Sequence, residues 1–219
     1  MKPKFITFTG LDDSTDLKRV VALSRRYPIE WGILLGRESG IPRFPSAGTI
    51  DTLRCLPIRR ALHLCGPRAK EDREGLESVK LACEGFFRIQ VNGPDCDLDE
   101  MEGVAKALDR VVIVQWRGEE FPAHRTGLRY LFDRSAGQGI RPSLWPRLPH
   151  NVIVSLPLCG YAGGIGPENV LSVVNQIAAD GPYWLDMESG VRMGDVFDLD
   201  KCEAVCRALW GEGRGVDRG

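Results

Sequence analysis

The chain has 219 residues, 43% of them apolar and 27% charged, which is too apolar for a disordered protein and a length that one α/β barrel uses as a single domain. Its 29 Lys and Arg against 30 Asp and Glu leave a net charge of −1, so the composition gives no sign of an electrostatic grip on nucleic acid or an anionic membrane. An anionic ligand must therefore be held by local groups.

In chain order, short β-rich runs alternate with stretches of helical spacing. Strands are predicted at 5–9, 31–35, 61–65, 86–91, 111–115, 128–132, 158–162 and 183–187. The helices expected between and after them lie at 16–26, 49–55, 68–83, 98–108, 119–125, 142–148, 167–179 and 200–209. Leu98-Asp99-Glu100-Met101 opens acidic, as a helix N-terminus favours, and Met101, Val104, Ala105 and Leu108 share the face that should cover the sheet. Pro142, Pro146 and Pro149 leave the sixth helical segment between a short helix and a loop. Such alternation calls for parallel strands with crossover helices, and eight units close a single (β/α)8 TIM barrel. The barrel is placed over 1–210, and the Gly-rich, charged stretch 211–219 is expected to be a flexible tail.

No apolar run reaches the roughly 18 residues of a membrane span, and Met1-Lys2-Pro3-Lys4-Phe5 lacks a signal peptide's apolar stretch, so a cytoplasmic protein is expected. Seven cysteines without a CxxC pair predict reduced thiols rather than a disulfide framework. Cys202 and Cys206 lie four apart on a helix with no further ligands nearby, so neither metal nor cofactor is expected. The oligomeric state is left open.

In this fold the active site forms from the loops after the strands, and phosphate usually binds after strands seven and eight. Ala162-Gly163-Gly164-Ile165-Gly166-Pro167 follows strand seven, a glycine pair that lets backbone N–H groups approach an anion before a proline at a helix start. Ser189 and Gly190 follow strand eight, and Gly137 and Gly139 follow strand six. Phosphate is accordingly assigned to Gly137, Gly139, Gly163, Gly164, Ser189 and Gly190, and the partner is a phosphorylated small molecule. Asp133 and Asp186 end strands six and eight, where a carboxylate is costly unless hydrogen-bonded or functional.

Leu131-Phe132-Asp133 with Ala136-Gly137-Gln138-Gly139, then Ala162 through Val170, then Leu185 through Val191, resemble phosphoribosylanthranilate isomerase of tryptophan biosynthesis in order and spacing. The resemblance extends to Phe8-Thr9-Gly10-Leu11, to Gly32 through Arg43, and to Ile89 through Gly93. It implies an Amadori-type aldose–ketose isomerisation in which Asp133 is the general acid and position 9 the general base, with Arg43 on an aromatic carboxylate and Gln90 lining the pocket; Asp186, at the end of strand eight, is placed either to contact a ligand hydroxyl or to orient a loop. Position 9 holds Thr where the family has Cys, Asn92 stands for His, and Arg192 for Glu. A threonine hydroxyl is a poor base near neutral pH unless another base activates it. Cys65, Cys159 or a His63-assisted thiol are candidates for that base. A lyase or epimerase acting on another sugar phosphate, or a homologue that binds without catalysis, remain alternatives.

Overall fold

The computed structural model describes residues 1–35, 43–64, 82–93, 96–135, 138–149 and 158–213. Eight parallel strands close a barrel in chain order: β1 (Phe5–Thr9), β2 (Ile29–Leu35), β3 (Arg60–Leu64), β4 (Arg88–Val91), β5 (Val111–Trp116), β6 (Leu128–Phe132), β7 (Cys159–Tyr161) and β8 (Tyr183–Met187). β8 pairs back onto β1, with Thr7 opposite Asp186. The described helices are α1 (Leu17–Arg26), α2 (Ala47–Cys55), α3 (Leu98–Leu108), α4 (Val170–Ile177) and α5 (Leu199–Trp210). A 3-10 turn at Ser189–Val191 and a small hairpin of β9 (Arg192–Met193) with β10 (Val196–Phe197) follow β8. The expected TIM barrel is therefore the observed fold.

Local chemistry sets the helix starts. Asp16, Asp97 and Asp198 each accept two backbone N–H bonds from the first turn of α1, α3 and α5. Such caps satisfy donors that a helix start leaves open, and place Asp16 just outside α1. Met101, Ala105 and Leu108 of α3 are buried on its inner face.

Two expected helices are not formed. Residues 117–127 run as bends and turns, where the Trp116 indole N–H donates to Glu120 O at 2.6 Å. The 142–148 segment is irregular, as prolines without N–H groups favour, and is held instead by aromatic packing. Trp145 packs edge-on against Tyr161, whose hydroxyl donates to Pro146 O at 2.8 Å. The seventh helix starts at Val170, because Asn169 turns its side chain back into the preceding loop, accepting from Gly166 N and donating to Gly164 O. Pro167 thus lies in a turn before the helix rather than in its first turn. All but the last two residues of the expected 68–83 helix lie outside the described residues. At the C-terminus, Tyr27 Oη donates to Gly211 O and Arg26 to Glu212 O, while 214–219 lie outside the described residues.

Alternation along the strands produces two apolar regions. One, including Ile6, Phe8, Ile33, Leu62 and Val112, fills the space between barrel and helices; the other, Phe5, Ile113, Leu131, Ala162 and Trp184, fills the barrel itself. Trp184 occupies the axis because Gly160 faces it: a Cβ at Gly160 would stand 2.2 Å from its Cε2. Toward the N-terminal ends of the strands, Glu30 is completely buried and accepts from Arg88, from Arg59 Nε at 2.9 Å and from Thr7 Oγ1 at 3.0 Å. Burial pushes its carboxyl up, but Arg88 and Arg59 outweigh this and hold it below the usual range.

Candidate active site at the C-terminal mouth

A cavity of about 360 Å³ opens at the C-terminal ends of the strands. Its walls include Thr9, His63, Gln90, Gln115, Arg117, Asp133, Gly163, Gly164, Asp186, Glu188 and Ser189. The polar residues that end the strands thus face one space, above the apolar barrel interior.

Thr9 and Asp186 meet directly. Thr9 Oγ1 donates to Asp186 Oδ1 at 2.9 Å, and both side chains are buried. Asp186 Oδ2 has no hydrogen-bond partner among the described residues and stands 4.0 Å from His63 Nε2. Burial pushes the Asp186 carboxyl up to about 8, against the smaller opposing effect of the Thr9 hydrogen bond. Burial likewise holds His63 down, at about 3. Near neutral pH the two face each other mainly as neutral groups, not as an ion pair. Gly32 makes this geometry possible, because a Cβ there would lie 2.3 Å from Thr9 Oγ1 and 2.9 Å from His63 Nε2.

Asp133 is fixed by neighbouring donors. Its Oδ2 accepts from Gln115 Nε2 at 2.8 Å, and its Oδ1 from Ser135 N and Oγ at 2.9 and 2.7 Å. Ser135 Oγ in turn accepts from Gly139 N at 3.2 Å. Gly139 therefore uses its N–H within its own loop.

The glycines after β6, β7 and β8 first serve to pack these loops together. Gly139 has φ +67°, and a Cβ there would lie 2.2 Å from Ser189 Oγ; Gly164 has φ +58°, and its Cβ would lie 2.6 Å from Gly139 O. A Cβ on Gly190 would meet Ile165 O at 1.9 Å, so Gly190 lets the β8 loop lie on the β7 loop and is not among the described cavity-lining residues. The N–H groups of Gly163, Gly164 and Ser189 make no hydrogen bond among the described residues, and all three residues line the cavity. Gly137 lies outside the described residues.

Arg43 reaches the cavity but is engaged: its Nη1 donates to Glu188 Oε1 at 3.2 Å. Burial raises the Glu188 carboxyl, with Arg43 and Arg192 opposing. Gln90 Nε2 donates to Asn92 Oδ1 at 3.0 Å, while its Oε1 has no hydrogen-bond partner among the described residues. Arg192 turns away to tie β1 to the hairpin, with Nη1 on Gly10 O at 2.9 Å and Nη2 3.6 Å from Asp12 Oδ2. Cys159 packs between barrel and helices, outside the described cavity lining, with its thiol pushed up to about 12 by burial, so it does not supply the missing base. Cys65 lies outside the described residues. Sequence reasoning missed Gly32 and Arg117. Arg117 directly follows β5 and lines the cavity, and a cation immediately after a strand was the available signal.

Fold and site together define a (β/α)8 barrel whose C-terminal mouth gathers three carboxyl groups, a buried histidine and a set of backbone donors that make no hydrogen bond among the described residues. No family model matches the sequence, and no curated protein matches it. The fold is similar to the crystal structure of phosphoribosyl anthranilate isomerase from Thermotoga maritima, with a TM-score of 0.60 and 15% sequence identity over 96% of this chain and 100% of that one. At that identity the likeness establishes the barrel fold alone. No described helix is long and apolar enough to cross a membrane.

Proposed function

We propose that this barrel binds a phosphorylated sugar or aminosugar and moves protons on it, as an aldose–ketose isomerase of the kind that phosphoribosylanthranilate isomerase exemplifies. The observation that carries this reading is the meeting of Asp133, Asp186 and the unengaged N–H groups of Gly163, Gly164 and Ser189 at one cavity. Those N–H groups take the phosphate, since backbone donors on adjoining loops bind an anion without a lysine. Among the described lining residues, Asp133, Asp186 and Glu188 face Arg43 and Arg117. A protonated Asp186 removes one negative charge and lets an anion enter.

With phosphoribosylanthranilate as substrate, Asp133, the general acid that the resemblance assigns, passes a proton taken up from solvent to the ring oxygen as the bond from that oxygen to C1 breaks, leaving an iminium, and Asp186 releases its own proton to solvent to become the base. Asp186 in its ionised form then takes the C2 proton, and the C–H electron pair neutralises the iminium. Thr9 is not the base. Its hydroxyl proton is directed at Asp186 Oδ1, which leaves Oδ2 as the atom that receives the substrate's proton. A carboxylate base whose pKa lies at about 8 matches its task near physiological pH far better than one near 4.

Turnover of phosphoribosylanthranilate, followed by the change in anthranilate fluorescence, tests the reading. The native chain should be active, with kcat rising toward pH 8 as Asp186 ionises. Asp133→Asn and Asp186→Asn should each lower kcat by roughly 10²- to 10⁴-fold. Failure of the native chain to bind ribose 5-phosphate in a calorimetric titration would refute the phosphate site itself.

A further inference from the structure

The floor of the barrel, at the N-terminal ends of the strands, holds more positive charge than it neutralises. Side chains two apart on a strand share a face, so Arg88, two before Gln90, and Arg129, two before Leu131, point into the barrel, and Arg59 joins them from the residue before β3. Glu30 is the one carboxylate among the described inward-facing residues at this end. Arg59 and Arg88 both pair with it, and both lie over the Phe5 ring, at 4.1 and 4.9 Å from its centroid. Arg129 has no such partner. Its Nη1 donates to Leu128 O at 2.6 Å, and no carboxylate pairs with it among the described residues. Burial first, and then the like charge of Arg88, pull its guanidinium below the ordinary value. The group still carries its charge near neutral pH, and a half-buried cation beside another cation is costly without an anion. Arg59 keeps 45% of its side chain exposed, so the floor is open to solvent on that side.

We infer that Arg129, with Arg59 and Arg88, forms a second anion site at the N-terminal floor of the barrel, which takes inorganic phosphate from solvent. The apolar plug around Trp184 separates it from the mouth, and Arg88 rests on the Trp184 ring at 4.5 Å. Three guanidinium groups against one carboxylate leave a surplus that a dianion balances. Arg59 spends its Nε on Glu30, which leaves its terminal nitrogens, like those of Arg129 beyond Nη1, for the ligand. Planar N–H forks match the oxygens of phosphate, whereas chloride offers no directed acceptors. This site stands whether or not the mouth binds a sugar phosphate.

Calorimetric titration with inorganic phosphate, in chloride at constant ionic strength, tests the site. The native chain should show a binding event that Arg129→Gln weakens by about 10- to 100-fold, the range of a charge-assisted contact. Arg59→Gln, at the open edge, should weaken the same event. Filling the mouth with reduced carboxyphenylamino-deoxyribulose phosphate should leave the event in place. Arg129→Gln removes an uncompensated cation, so its urea midpoint in chloride should equal or exceed the native one; should it fail to fold, Arg59→Gln decides by the same fold-change. No phosphate binding by the native chain overturns the inference, as does an event that these variants leave unchanged or that the analogue abolishes. An analogue that fails to bind while the Arg129-dependent event remains refutes the sugar-phosphate reading alone.

Discussion

Thr9, Asp186 and His63 form a contact whose pH dependence has a definite sign. Asp186 titrates near 3.8 in the unfolded chain and at about 8 in the fold, so between these values the unfolded chain gives up a proton that the folded chain keeps. The stability this confers is fully present below about pH 4 and is lost as pH rises to about 8. His63 acts on the acid side: its pKa of about 3 against 6.5 means that stability is lost as pH falls from about 6.5 to about 3. Urea unfolding across pH should show both limbs. Asp186→Asn should flatten the limb from pH 4 to 8, on the order of a few kcal/mol, and an unchanged limb would contradict the assignment. Asp133, Thr9 and Asp186 were legible in the sequence because polar residues end otherwise apolar strands. Gly32 was not, since its role exists only once Thr9 and His63 flank it. Arg117 was one of 29 cationic residues, and that its Nε has no hydrogen-bond partner among the described residues is a property of the folded chain alone.

At the scale of elements, the strands were legible to within a few residues at either end, because eight apolar runs recur with turn signals between them. The connections after β5 and β6 were not. Their content of Glu, Arg and Leu suggests helix, but Trp145 is held against Tyr161 and Phe132, and tertiary packing overrides local propensity. Two glycines within strands carry predictions of their own. Gly160→Ala should overpack Trp184 and cost about 1 to 3 kcal/mol in urea unfolding. An unchanged midpoint would mean that the Trp184 ring moves freely on the barrel axis. Gly32→Ala should push Thr9 off Asp186 and lower kcat with little effect on ribose 5-phosphate affinity, because the phosphate donors lie on β7 and β8. Equal losses in kcat and affinity would show that β2 supports the whole mouth rather than the proton-transfer contact.

Over the whole molecule, the barrel divides its interior by height: an ion-pair network toward the N-terminal ends, an aromatic and aliphatic plug around Trp184, and the cavity above. This matches the division between a stabilising lower face and a chemical upper face that such barrels share. Arg88→Met leaves Glu30 buried with less compensation and should destabilise by about 3 to 5 kcal/mol, while adding Glu30→Gln should recover part of that loss. Chemical denaturation of both variants checks this, and equal stabilities would show that the charge left behind was not the cause. The most direct test of the central claim is a crystal structure with reduced carboxyphenylamino-deoxyribulose phosphate. Its phosphate should lie about 2.7–3.2 Å from the N–H groups of Gly163, Gly164 and Ser189, with the pentose chain between Asp133 and Asp186. A ligand seated outside the mouth, or a phosphate held away from these three N–H groups, would contradict the account.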